Sequence, residues 1–111
     1  MNHNPTCHLN SHGHEEWRLK NDDMHRLDGP AYVGSDGYKA WYVYGKRHRE
    51  DGPAIEHLSH TGFEYYLHNV PYVTIESWAY EVLRMRKEPT DHEAVQNFIR
   101  SIMQKQTKEL I

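Results

Sequence analysis

The sequence repeats itself. His25-Arg26-Leu27-Asp28-Gly29-Pro30-Ala31 returns 23 residues later as His48-Arg49-Glu50-Asp51-Gly52-Pro53-Ala54. Between the two septets, Ser35-Asp36-Gly37-Tyr38-Lys39-Ala40-Trp41 has a relative 24 residues earlier, Ser11-His12-Gly13-His14-Glu15-Glu16-Trp17. A second relative, His60-Thr61-Gly62-Phe63-Glu64-Tyr65-Tyr66, lies 25 residues later. Pro5-Thr6 falls near the place of Pro30-Ala31. The offsets drift by one or two residues, as happens when small insertions sit in turns. A period of this length marks an array of short supersecondary units that stack through recurring contacts.

The unit reads as a β-hairpin. Tyr38 to Tyr44 is rich in aromatic and β-branched residues and predicts a strand. Ser35-Asp36-Gly37 before it is a turn, because glycine accepts the positive φ that such turns need. Tyr44-Gly45-Lys46 ends the strand in a second turn, and Arg47 to Arg49 starts a short return strand. Asp51-Gly52-Pro53 interrupts again, since proline cannot donate to a ladder. Ala54 to Leu58 opens the next hairpin. The last copy degenerates into Tyr66-Leu67-His68-Asn69-Val70-Pro71-Tyr72, as terminal units of arrays do.

The hydrophobic period then changes from two to 3.6. Ile75, Trp78, Ala79, Val82 and Leu83 fall on one helical face, and Glu88-Pro89 ends that helix. Thr90-Asp91-His92-Glu93 has the pattern of a capping box. Ala94, Val95, Phe98, Ile99, Ile102 and Met103 form a second stripe, with Lys105 and Lys108 toward its C-terminal end, where the dipole favours cations. Arg84-Met85-Arg86-Lys87 is the basic end of the first helix in the same sense. Two amphipathic helices need an apolar partner. The sheet is the first candidate, and a second copy of the chain, giving a homodimer, is the other.

The expected fold is therefore α+β: an antiparallel β-hairpin repeat meander over about residues 5–72, then helices at 74–87 and 91–109, in one domain spanning 1–111. The length of 111 residues leaves room for one domain. Eight tyrosines and three tryptophans against two phenylalanines suit half-buried sheets, where an aromatic body packs and its polar edge stays wet. The net charge is −3 with neutral histidine, and ten histidines would swing it positive in mild acid. The N-terminus lacks a signal-peptide pattern, and no apolar run approaches the ~20 residues of a membrane span. A single cysteine, Cys7, excludes an internal disulfide framework. These features lead to the expectation of a cytoplasmic protein.

Trp41-Tyr42-Val43-Tyr44-Gly45-Lys46-Arg47-His48 followed by Arg49-Glu50-Asp51-Gly52-Pro53-Ala54 resembles a repeat of bacteriophage and large DNA virus proteins. It is also similar to MORN-type repeats, in which an aromatic strand runs into a Gly-Lys turn. Glu50-Asp51-Gly52-Pro53-Ala54 departs from that type, which carries Gly-x-Gly there. The resemblance covers roughly residues 5–72 and leaves the helices unexplained. The copy containing Asn21-Asp22-Asp23-Met24 matches less well than the one containing Tyr44-Gly45-Lys46-Arg47. The resemblance implies a hairpin array, a viral origin and scaffolding or membrane-associating roles; fold analogy alone does not carry function.

Three groups of residues invite a chemical reading. His3, Cys7, His8, His12 and His14 suffice in number for zinc, but their spacing matches no standard ligand pattern, so ordinary turn and strand residues are the stronger reading. His25-Arg26-x-Asp28 and His48-Arg49-x-Asp51 combine acid, base and cation. An active site needs one such set, whereas a scaffold element is duplicated with its repeat, so these are read as structural, with the aspartates bonding turn amides. Alternation along the strand places Trp41 and Val43 on one face and Tyr42 and Tyr44 on the other. With Lys46, Arg47, His48 and Arg49 they would make an aromatic-basic platform suited to a macromolecular partner or to nucleic acid. Against these stands ordinary cross-strand pairing. No phosphate-binding loop or nucleophile motif is present.

The expected function is thus a small non-enzymatic phage protein, without cofactor, that binds and inhibits or modulates a host protein through Trp41, Tyr42, Tyr44, Lys46, Arg47, His48 and Arg49. A nucleotide or nucleic-acid binder using the same face is the second expectation. A zinc module at Cys7, His8, His12 and His14 is the third.

Overall fold

The computed structural model describes residues 4–57 and 62–110, with side chains through Gln106. Strands β1 (Thr6–Leu9), β2 (Glu15–Arg18), β3 (Tyr32–Val33) and β4 (Lys39–Ala40) begin the meander. A small hairpin, β5 (Tyr42–Val43) and β6 (Lys46–Arg47), interrupts it. β7 (Ile55–Glu56), β8 (Phe63–Leu67) and β9 (Val70–Tyr72) complete a seven-stranded antiparallel sheet of order β1-β2-β3-β4-β7-β8-β9. Helices α1 (Ile75–Met85) and α2 (His92–Leu110) follow. The architecture is the expected α+β meander with a C-terminal helical pair.

One expected strand is two. The chain leaves the main sheet at Trp41, whose N–H donates to the Ala54 carbonyl (2.7 Å) and whose carbonyl accepts from His48 N–H (3.1 Å). Strand alternation therefore does not run through Trp41, and the assignment of Trp41/Val43 and Tyr42/Tyr44 to opposite faces of one strand is corrected. The expected return strand over Arg47–Arg49 is likewise shifted to Lys46–Arg47, and the strand starting at Ala54 is Ile55–Glu56. Leu58, His60 and Thr61 lie outside the described residues.

The septet explains why these units stack. Its backbone bonds recur from copy to copy. Ala31 N–H donates to Ala40 O (2.9 Å), as Ala54 N–H does to Glu64 O (2.8 Å). Trp17 N–H reaches Ala31 O at 2.7 Å, the counterpart of the Trp41–Ala54 bond. Arg26 N–H donates to Tyr42 O (3.1 Å) and Arg49 N–H to Tyr66 O (3.3 Å), tying each septet to the following hairpin. Ala31, Ala40 and Ala54 are buried where these backbones meet, so a larger side chain would overpack the junction.

Side chains repeat with equal fidelity. The Arg26 guanidinium lies over the Trp17 ring at 4.1 Å from its centroid, and Arg49 over Trp41 at 3.9 Å. Each arginine donates Nε–H to the aspartate two residues on, Asp28 or Asp51, at 2.9 Å. Each also donates to the following proline carbonyl, Pro30 (3.2 Å) or Pro53 (3.1 Å). The aspartates thus serve chiefly the arginines, rather than the turn amides expected from the sequence. The glycine between them is a matter of space: a Cβ on Gly52 would stand 2.7 Å from the Arg49 Cζ, and on Gly29 2.9 Å from that of Arg26.

Each septet histidine holds a turn of the next unit. Buried His25 accepts the Tyr44 N–H at Nδ1 (2.9 Å), and His48 accepts the His68 N–H in the same way (3.1 Å). The turns they hold, Tyr44-Gly45 and His68-Asn69, have positive φ at both positions.

The helices close the array. Tyr65 stands 24 residues after Trp41 and takes the next aromatic place. Its ring is covered not by an arginine but by the fully buried Trp78 of α1, 4.9 Å away, whose indole N–H donates to Arg49 O (3.2 Å). Leu67, Trp78, Ala79, Val82, Leu83, Val95, Ile99 and Ile102 form the core beneath both helices. Met103, placed on the apolar stripe of α2, is instead 55% exposed. Thr74 caps α1, its hydroxyl accepting Ser77 N–H at 3.1 Å. α2 starts at His92 with Asp91 O accepting from Val95 N–H, so its cap falls one residue after the expected Thr90.

The two septets differ in one respect that sets their energetics. Arg49 also donates to Glu56 (3.1 Å), a carboxylate only 5% exposed, whereas the place of Glu56 in the earlier copy is taken by Val33. Arg49→Ala strands Glu56 in the interior and is expected to cost about 3–5 kcal/mol. Arg26→Ala leaves a solvent-exposed Asp28 and is expected to cost about 1–2 kcal/mol. Urea unfolding of the two variants checks that order.

Candidate functional site

Cross-strand partners project to the same side of a sheet. The register aligns Glu16, Tyr32, Ala40, Ile55 and Glu64 across β2, β3, β4, β7 and β8. The helices pack on the opposite side, against Tyr65 and Leu67. The face carrying Tyr32 is therefore left open by them.

That face is lined by aromatic rings in edge-to-face contact. His14 meets Tyr32 at 5.6 Å between centroids, Tyr32 meets Tyr38 at 5.7 Å, and Tyr38 meets His57 at 5.0 Å. Tyr42 joins them beyond β4. Together with Glu16 and Arg18, the rings of His14, Tyr32, Tyr38 and Tyr42 line a concavity of about 450 Å³. Arg47, paired with Tyr42 across β5 and β6, donates to the Tyr42 phenol oxygen and lies 5.2 Å from the Tyr66 ring centroid. The tyrosines are half-buried, so their apolar bodies pack while their edges meet solvent.

The charges of this face are interlocked. The Asn10 amide and the Arg18 guanidinium hold the Glu16 carboxyl below the usual carboxylate range. Asp36 accepts the Tyr38 N–H (3.1 Å), and His57 lies 3.0 Å from Glu64. Burial pushes the Tyr38 phenol up, assisted by the nearby Tyr42 and Glu64.

The residues expected to form one aromatic-basic platform are divided by the break at Trp41. Tyr42 and Arg47 belong to the tyrosine face. Trp41, His48 and Arg49 line a groove of about 990 Å³ running between the two septet loops, and His48 and Arg49 are buried there. Tyr44 stacks on His25 at 4.2 Å, and Lys46 is exposed in β6. Tyr32, Tyr38 and Tyr66 were absent from the sequence-based set. Recurrence marks one of them: Tyr66 follows Tyr42 at the repeat offset of 24.

The zinc candidates are engaged separately. His8 Nε2 contacts the Thr6 hydroxyl (2.8 Å), His14 contacts Tyr32, and the His12 and His14 rings are 6.0 Å apart. The Cys7 thiol donates toward Glu15, and burial and that carboxylate push it up, which disfavours the thiolate a metal needs. Among the described residues, no three His, Cys, Asp or Glu side chains are grouped to hold a metal ion, and His3 lies outside them. No described helix is long and apolar enough to cross a membrane.

Comparison with protein-family models, curated proteins and solved structures found no match to this chain.

The phenols of Tyr38, Tyr65 and Tyr72 are all raised, chiefly by burial. A raised folded value means the native state keeps protons that the unfolded chain releases. Their contribution to stability is thus complete below the ordinary tyrosine range, near pH 10, and is lost as pH rises through the folded values. Melting temperature is expected to fall above about pH 10. Ultraviolet titration of single Tyr→Phe variants should show these three phenols ionising last.

Proposed function

We propose that this chain is a non-enzymatic binding protein that engages a protein partner through its tyrosine face and alters that partner's activity. The carrying observation is the set Tyr32, Tyr38, Tyr42 and Tyr66, gathered with Arg18 and Arg47 on the sheet face the helices leave open. Tyrosine and arginine are the side chains most enriched at the energetic centres of protein interfaces. Stiff rings supply contact area at low entropic cost, and their mutual edge contacts fix them before a partner arrives. The resemblance of the repeat to phage and viral proteins adds a direction to the proposal: a viral protein acting on a host macromolecule.

Single-stranded nucleic acid is the second reading, favoured by rings that bases can stack on beside Arg47. Glu16, Asp36 and Glu64 on the same face and the net charge of −3 weigh against it. Affinity capture from bacterial lysate, with and without nuclease, separates the two. The protein reading predicts a nuclease-resistant, near-stoichiometric partner. Its affinity should fall at least about tenfold on Tyr38→Ala with Tyr42→Ala, and hold on Leu27→Ala in the opposite groove. Retention that vanishes with nuclease and with Arg47→Glu would contradict it in favour of nucleic acid.

A further inference from the structure

The two septet histidines hold equivalent turns, but what they stack on differs. His25 packs on the Tyr44 ring at 4.2 Å. His48 packs on a second imidazole, His68, also at 4.2 Å. The His48 ring is fully committed: Nδ1 accepts the His68 N–H (3.1 Å), while Nε2 lies 3.0 Å from the Glu50 carboxylate. An acceptor Nδ1 carries no proton, so in this arrangement the ring is neutral, with its proton on Nε2 toward Glu50.

We infer that His48 is an acid-sensitive latch that holds the His68-Asn69 turn while its ring is neutral and releases it when the ring is protonated. A proton on Nδ1 turns the acceptor into a donor aimed at the His68 N–H, and the bond is replaced by a conflict of two donors. The ring itself stays in place, because Glu50 pairs more strongly with an imidazolium than with an imidazole. Glu50 is in turn fixed by Arg86 at the end of α1, through its carboxylate (3.3 Å) and its carbonyl (3.1 Å). The change is therefore confined to the Nδ1 side. Protonation of His68 adds repulsion between the stacked rings. The charged and titratable groups around His48 are Glu50 on its own loop, Arg49 and Asp51 beside it, His68 from the β8–β9 turn, and Arg86 from α1.

The turn has reason to open once released. His68 has φ +50° and Asn69 φ +70°, and the first of these is a left-handed conformation that a histidine adopts at a cost. His48 and His68 both line the large groove between the septet loops, so opening reshapes that wall of the groove. In the earlier copy, Tyr44 stands where His68 does and gains no charge in acid. The acid response is thus specific to the second latch.

Amide hydrogen exchange and histidine ring ¹⁵N shifts, followed in the full chain from about pH 8 to about pH 5, test this. Protection of the His68 amide, corrected for intrinsic exchange, is expected to fall at least about tenfold as His48 Nδ1 becomes protonated. The Tyr44 amide is the internal reference. His48→Asn puts a non-titrating oxygen near the place of Nδ1, so it should keep the bond and flatten the pH response. A His68 amide that stays protected while both His48 nitrogens carry protons overturns the inference. So does an unchanged pH response in folded His48→Asn. If that variant fails to fold, the wild-type ring shifts and amide protection decide the matter by themselves.

Discussion

Everything in the array hangs on an arginine lying flat against an indole. The guanidinium of Arg49 covers Trp41, and its edge is spent on three oxygens: Asp51, the Pro53 carbonyl and Glu56. Such a stack is worth roughly 0.5–2 kcal/mol, more when water is excluded. The neighbouring sequence follows from it. The aspartate supplies the counter-charge, the glycine leaves space above the plane, and the proline carbonyl takes a free N–H. The alanine permits the backbones to close on one another.

A unit so constructed needs a successor, because its histidine and its arginine amide both bond to the following hairpin. The chain resolves this by changing the partner. Tyr65 replaces tryptophan, and Trp78, delivered by α1, takes the position over it that an arginine holds elsewhere. The indole N–H of Trp78 then reaches the Arg49 carbonyl, so the core under the helices and the polar ladder of the array meet at one residue. Arg86 makes a second link from α1 to the septet loop at Glu50. The helices are thereby fixed to the last septet and leave the tyrosine face uncovered.

Much of this is legible in the sequence, and the failures have definite causes. The septet, its period and the switch to helical spacing are visible because each is a repeated or periodic pattern. The buried faces of Trp78, Ala79, Val82 and Leu83 follow from spacing alone. The break at Trp41 is not legible, because Lys39 to Tyr44 has strand composition throughout. What divides it is a pair of backbone bonds from Trp41 to residues of another loop. The same break separates Tyr42 from Trp41 and Arg49, so the platform inferred from alternation is really two surfaces. Tyr32 and Tyr38 come together only through the β3–β4 register, which individual residues do not announce. The buried role of Glu56 depends on reach from Arg49 and leaves no local signature, since Val33 holds the same place in the other copy.

The central claim is that the arginine–tryptophan stack couples one unit to the next. A double-mutant cycle on Trp41→Leu and Arg49→Met, read by urea unfolding, tests it most directly. Each change keeps apolar bulk while removing one partner of the stack. The account predicts a coupling energy of at least about 1 kcal/mol between the two sites. Single-variant losses that add to within about 0.5 kcal/mol would contradict it.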